Sequence, residues 1–219
     1  MKSIQSKFFI LLFILPIINM SEAQDTTFIQ IETPLGTMKG YLANETPLHR
    51  DNFIKLINEQ FYDSLLFHRV IPGFMIQGGD PDSKNAKAGI PLGMGGPGYL
   101  VPAEFVDSLA HVKGALAAAR SNNPEKKSSG SQFYIVSGRP VALTDLPLQE
   151  FKHNFKYTES VKQEYQALGG TPFLDHDYTV FGRITEGLDI IDQIAASMAD
   201  GRNRPLDNIW MKISIIPHN

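Results

Sequence analysis

Apolar and polar side chains alternate in short runs from residue 27 to residue 216, and each run is a candidate strand. The runs are Thr27 to Glu32, Met38 to Leu42, Leu65 to Val70, Met75 to Gln77, Ala115 to Ala118, Gln132 to Val136, Thr179 to Ile184 and Trp210 to Ile216. Most connections carry Gly or Pro, which punctuate strands. Period-two facing puts Phe67 and Arg69 on one face, and sets Phe74 and Ile76 opposite Met75 and Gln77, with Pro72-Gly73 turning the chain between the runs.

Two stretches change to helical spacing. Thr46 is a candidate N-cap followed by Pro47, so a helix is expected from there to about Gln60 with Phe53, Leu56 and Ile57 inward. The spacing of Leu188, Ile191, Ile194 and Ala195 predicts a second helix to about Met198. Eight strands and two helices fit a mainly β fold, a closed eight-stranded antiparallel β-barrel capped by two α-helices. A filled barrel leaves the working surface on its outside.

Residues Gly138 to Thr171 stand apart as an insertion of about 138–171. Ser160-Val161-Lys162-Gln163 reads as a capping box, Val161, Tyr165 and Leu168 have helical spacing, and Gly169-Gly170 with Pro172 stop the helix. A packed helical flap follows, which either borders a binding groove or only covers barrel edge.

Composition narrows the function. At 219 residues and 42% hydrophobic content, the chain can bury one sizeable core without needing two. The formal net charge of −3 gives no electrostatic footprint for nucleic acid. The absence of Cys excludes disulfides, thiol catalysis and Cys-ligated zinc.

Residues 1–23 read as a signal peptide. Lys2 and Lys7 precede the apolar run Phe8 to Ile18, which is short for a membrane span, and Ser21-Glu22-Ala23 supplies small residues for cleavage before Gln24. The alternative is an uncleaved anchor. With cleavage, residues 24–219 form an exported domain with no stable membrane insertion, periplasmic in a two-membrane bacterium and otherwise secreted. No coiled coil or long apolar stripe argues against a monomer.

The chemistry concentrates in Phe67 to Asp80, where Arg69 stands among Phe and Met side chains. Burying an arginine alone is costly, and Gln77 is the neighbour that can hold it by a hydrogen bond. From this segment alone an ordinary salt-bridged arginine at a sheet edge is as good a reading. Other constellations are weak. His68 reads as a hydrogen-bonded structural histidine, Asp175-His176-Asp177 as a turn without the partners a metal needs, and Ser128-Ser129-Gly130-Ser131 lacks a His-Asp partner pattern. Met94-Gly95-Gly96-Pro97-Gly98 has no following Lys and is a groove-bordering turn, not a phosphate loop.

Phe67 to Asp80, Met94 to Gly98, Gly114 to Arg120, Gly130 to Val136 and Phe173 to Arg183, in this order, together resemble the cyclophilins. These are barrel-type peptidyl-prolyl cis-trans isomerases. The resemblance covers about Thr26 to Ile216 apart from the insertion. It implies rotation of Xaa-Pro bonds in proline-containing unfolded or flexible polypeptides, with no cofactor and no metal. Arg69 and Gln77 would be the catalytic pair. Phe74, Met75, Tyr134, Phe173 and Leu174 would line a proline pocket, and Ala119, Arg120, Gln132 and Tyr178 would complete the substrate contacts. A second reading is a proline-directed chaperone that holds such segments with little turnover. Arg120, Tyr134, Phe173 and Tyr178 stand where the familiar eukaryotic pattern has Asn, Phe, Trp and His. The resemblance therefore implies weak binding of cyclosporin, since Phe173 lacks the indole surface and donor.

Overall fold

The computed structural model describes residues 25–217, so the expected signal peptide lies outside the described residues. The chain runs β1 (Thr27–Thr33), β2 (Gly36–Leu42), α1 (Pro47–Asn58), β3 (Arg69–Ile71), β4 (Met75–Gly78), β5 (Leu100–Val101), β6 (Ala115–Ala118), β7 (Ser128–Ser129) and β8 (Phe133–Val136). It continues through α2 (Leu146–His153), α3 (Glu159–Leu168), β9 (Val180–Glu186), α4 (Leu188–Ala195) and β10 (Lys212–Ile216).

Eight strands form one curled antiparallel sheet in the order β10-β1-β2-β9-β6-β8-β4-β3, and β5 pairs with β7 alone. Full closure was expected, and the ladder stops short of it. Among the described residues, the two ends of the sheet are joined by the bridge between Leu66 and Trp210, through Phe67 N to Ile209 O at 2.9 Å and Met211 N to Leu65 O at 2.8 Å, and by Val70 N to Asn203 O at 2.8 Å in the loop ahead of β10. The expected strand Leu65 to Val70 is thus a bridge followed by the shorter β3. Leu65, Leu66, Phe67 and His68 are all buried, so alternation fails there and Phe67 joins the barrel core instead of sharing a face with Arg69.

Alternation holds where the site is built. Ile76, Leu116, Ala118, Phe133 and Ile135 point into the barrel with Ile29, Ile31, Met38, Phe53 and Phe181. The intervening residues Met75, Ala115, Ala117, Tyr134 and Val136 point outward and form a second apolar cluster with Leu174 and Tyr178. β6 and β8 are buried on both faces because of this second layer.

Helix ends differ from the expected caps. Thr46 makes no capping bond. The Glu104 carboxylate does so from another part of the chain, accepting from Leu48 N and His49 N at 3.0 Å each. α3 begins earlier than Ser160 suggests, with Thr158 Oγ1 accepting from Val161 N, and Leu168 is 37% exposed while Val161 and Tyr165 are buried. α4 ends at Ala195, leaving Met198 exposed.

The insertion holds a second helix, α2, that periodicity did not reveal. Pro147 in its first turn and Asn154 in the left-handed conformation at its end are ordinary boundary signals. Both ends of the insertion are tied together at Gly170, which exchanges backbone bonds with Arg139 and adjoins the bond from Thr171 N to His111 O. A Cβ at Gly170 would lie 2.3 Å from the His111 carbonyl oxygen, so only glycine permits this approach.

Candidate active site

The site starts as a cross-strand row. Registers in the sheet place Arg69 opposite Gln77, Gln77 opposite Tyr134 and Tyr134 opposite Ala117, so one row crosses β3, β4, β8 and β6 on the outer face. Arg69 Nη1 donates to Gln77 Oε1 at 3.3 Å, Gln77 Nε2 to Gln132 Oε1 at 3.0 Å, and Gln132 Nε2 to the carbonyls of Gly93 and Gly95 at 3.0 and 2.7 Å. Each amide is oriented by the next, and the last is fixed by backbone. The Arg69 guanidinium is therefore positioned without a carboxylate that would neutralise it.

Beside this row lies a cavity of about 120 Å³ lined by Arg69, Phe74, Met75, Ala119, Tyr134 and Leu174, with Gln77, Arg120 and Tyr178 at its edges. The expected substrate residues thus converge, with two set apart. Phe173 lies outside this lining, 43% exposed, its ring 5.7 Å from that of Phe74. Gln132 lines a neighbouring groove of about 690 Å³ with Met94 to Leu100, where the glycine-rich turn expected at the groove edge is found. The Arg120 side chain is held by Nε donating to Asp177 O at 2.8 Å and by lying 4.7 Å over the Tyr178 ring.

A buried polar network that the sequence did not reveal supports the pocket floor. Asp175, expected in a plain turn, is 3% exposed. Its Oδ1 accepts from His111 N at 2.8 Å and from His111 Nδ1 at 2.7 Å, and its Oδ2 accepts from the hydroxyls of Tyr157 and Tyr165 at 2.6 and 2.5 Å. With Nδ1 committed as donor, His111 Nε2 accepts from Tyr134 OH at 2.8 Å. Burial, with help from Tyr178 and Asp175, pushes the Tyr134 phenol well above its ordinary pKa and keeps it a donor. Burial and Asp175 act the same way on Tyr165. Tyr157 precedes α3 and Tyr165 lies within it, so the insertion anchors the segment that carries Leu174 and Tyr178. The signal available in the sequence was weak: three aromatic hydroxyls, one His and one Asp scattered from residue 111 to residue 175.

His68 also departs from expectation. It is 4% exposed and neither ring nitrogen makes a hydrogen bond. Burial lowers its pKa to about 4, against the opposing pull of Asp80, so the ring is neutral.

A curled eight-stranded sheet with an outward-facing arginine beside an apolar pocket defines a barrel-type isomerase site. Residues 28–215 match the family model "Cyclophilin type peptidyl-prolyl cis-trans isomerase/CLD", and the chain belongs to that family. A Staphylococcus saprophyticus protein named "Putative peptidyl-prolyl cis-trans isomerase" is 33% identical over 171 residues, 77% of this chain and 80% of that one. A Staphylococcus aureus (strain USA300) protein of the same name is 32% identical over 198 residues, 89% of this chain and 93% of the other. A Streptococcus pyogenes protein named "Putative bifunctional phosphatase/peptidyl-prolyl cis-trans isomerase" is 33% identical over 187 residues, and the match spans 37% of its length. A crystal structure of a Cryptosporidium parvum cyclophilin shares the fold, with a TM-score of 0.64 at 22% identity, over 89% of this chain and 100% of that one. The chain is a peptidyl-prolyl cis-trans isomerase of cyclophilin type.

Proposed function

We propose that the protein accelerates Xaa-Pro isomerisation in exported polypeptides by non-covalent stabilisation of the twisted amide, with Arg69 as the principal donor. The amide barrier of ~18 to 20 kcal/mol comes from resonance, and proline brings the cis form close in energy without removing that barrier. When the bond is twisted, the prolyl nitrogen loses conjugation and gains a lone pair. A guanidinium aimed at it stabilises that state more than either planar one. The supporting observation is Arg69 fixed by Gln77 at the edge of the apolar pocket. Its charge is permanent at physiological pH, so no proton is transferred.

One donor does not account for the whole rate. An acceleration of ~10^5 corresponds to roughly 7 kcal/mol, whereas a single positioned donor supplies about 3 to 4 kcal/mol. The remainder falls to desolvation of the amide in the pocket of Phe74, Met75 and Leu174, and to fixing one side of the bond while the other rotates.

Export rests on Lys2, Lys7, the apolar run and Ser21-Glu22-Ala23. No helix among the described residues is long and apolar enough to cross a membrane. The partners under this reading are flexible, proline-containing chains met by a monomer in the periplasm or outside the cell.

Exchange NMR on a short Xaa-Pro peptide tests the activity and its residue together, using protein from Gln24 onward and its Arg69→Ala variant. Acceleration by the parent, lost by roughly 100-fold or more in the variant, is expected. Binding without acceleration would replace the enzyme by a proline-directed chaperone.

A further inference from the structure

Next to the proline pocket, and sharing Arg69, Gln77 and Arg120 with it, lies a separate cavity of about 320 Å³. Four arginines line it, namely Arg69, Arg120, Arg202 and Arg204, against one carboxylate, Asp200. A chain of net charge −3 has thus collected a local excess of positive charge at one cleft. None of the four guanidiniums is in a salt bridge among the described residues.

What holds these arginines leaves their charge unspent. Arg204 is 6% exposed and donates to the carbonyl of Ile90 and, at 3.5 Å, to Asn208 Oδ1, both neutral. Arg120 donates to the carbonyls of Asp177 and Ser121. Asp200 is committed to its own turn, with Oδ1 accepting from the backbone N–H groups of Arg202 and Arg204 at 2.8 and 3.0 Å. That turn fixes both residues at the mouth of the cleft, and the Arg202 side chain is exposed there.

His68 is the independent observation. It lines the same cavity, is more than nine-tenths buried, and has both ring nitrogens without a hydrogen-bond partner. Such a group is costly to bury unless a ligand or water completes it.

We propose that this cleft is a specificity subsite for an anionic side chain, carboxylate or phosphate, within two residues of the isomerised proline. The proposal rests on the isomerase reading, because the shared wall of Arg69, Gln77 and Arg120 is what ties the cleft to the bond being rotated. Guanidiniums bind carboxylates and phosphates through paired N–H donors, and a half-enclosed cleft screens such pairs less than open solvent does. The ligand is part of the client chain, since a cleft contiguous with the proline pocket is reached by the next side chains of the same peptide.

The test is exchange NMR on matched proline peptides carrying Glu, Gln or phosphoserine, in turn, at each of the two positions before and after proline. At one position the Glu peptide is expected to turn over roughly tenfold better than its Gln match, and the phosphoserine peptide at least as well as Glu. That preference should shrink several-fold in Arg202→Gln and with rising salt. Because each ratio compares two peptides on one protein, loss of folded material cancels. Equal Glu and Gln rates at every position overturn the subsite while leaving the isomerase standing. A Glu preference that survives unchanged in Arg202→Gln overturns the assignment to this cleft. Failure to accelerate any peptide overturns the isomerase reading itself, and the subsite with it.

Discussion

Two polar regions flank the apolar pocket beside Arg69 and are built on opposite rules. Around Asp175, donors and acceptors match: four N–H and O–H groups meet one carboxylate, and His111 passes the order on to Tyr134. Around His68, positive charge exceeds its partners and a buried imidazole bonds to nothing. A satisfied network rigidifies whatever it holds, here the floor of the pocket. An unsatisfied one keeps its interaction energy for a ligand or a transition state. Under the proposed mechanism, the difference separates the part of the site that fixes shape from the part that performs chemistry.

The contrast breaks most severely at Asp175. Asp175→Ala leaves His111, Tyr157 and Tyr165 as buried donors without an acceptor, and should destabilise the fold by about 3 to 5 kcal/mol in a urea titration. A loss below about 1 kcal/mol would mean that water or rearrangement replaces the carboxylate cheaply.

Acid should expose the other region. The His68 pKa is about 4 in the folded protein against an ordinary 6.5. Between pH 6.5 and about 4 the unfolded chain takes up a proton that the folded one refuses, so stability falls as pH drops through that window. The loss is on the order of 3 kcal/mol, and above pH 6.5 the residue contributes no slope. His68→Gln should flatten this part of the stability curve. Turnover per folded molecule should stay level from pH 8 to 5, since Arg69 keeps its charge throughout. A turnover step near pH 6 would show that a titrating group takes part.

The smallest effect sharpens the comparison. Tyr134→Phe keeps the ring in the pocket and removes one hydroxyl bonded to His111. A stability loss of about 1 kcal/mol is expected, with turnover changed by roughly threefold at most. A much larger loss of rate at parental stability would make the hydroxyl a catalytic group.

How legible each region was follows from how local it is. Arg69 and Gln77 are eight residues apart across a Pro-Gly turn, so the need of a buried guanidinium for a nearby acceptor was enough to pair them, and the structure joins them at 3.3 Å. The shared face of Met75 and Gln77 came from the two-residue period, whereas Tyr134 was placed at the pocket by the resemblance and the outward facing of Ala117 emerged with the sheet register. Asp175 and His111 are 64 residues apart, and no pattern in the chain links them. Glu104 caps α1 from 55 and 56 residues away, which hid it behind the nearer candidate Thr46. α2 escaped because Leu148 and Phe151 are exposed, so its apolar residues do not trace a single buried face. The cationic cleft unites four arginines from three separate stretches of chain, at residue 69, at residue 120 and at residues 202 and 204, which no local pattern connects.

The division between shape and chemistry is tested most directly by measuring peptide exchange and the urea midpoint on the same two variants, Arg69→Ala and Asp175→Ala. Arg69→Ala should lose roughly 10^2 to 10^3 in rate at a near-parental midpoint, and Asp175→Ala should lose its midpoint first. A parental exchange rate in Arg69→Ala would contradict the account.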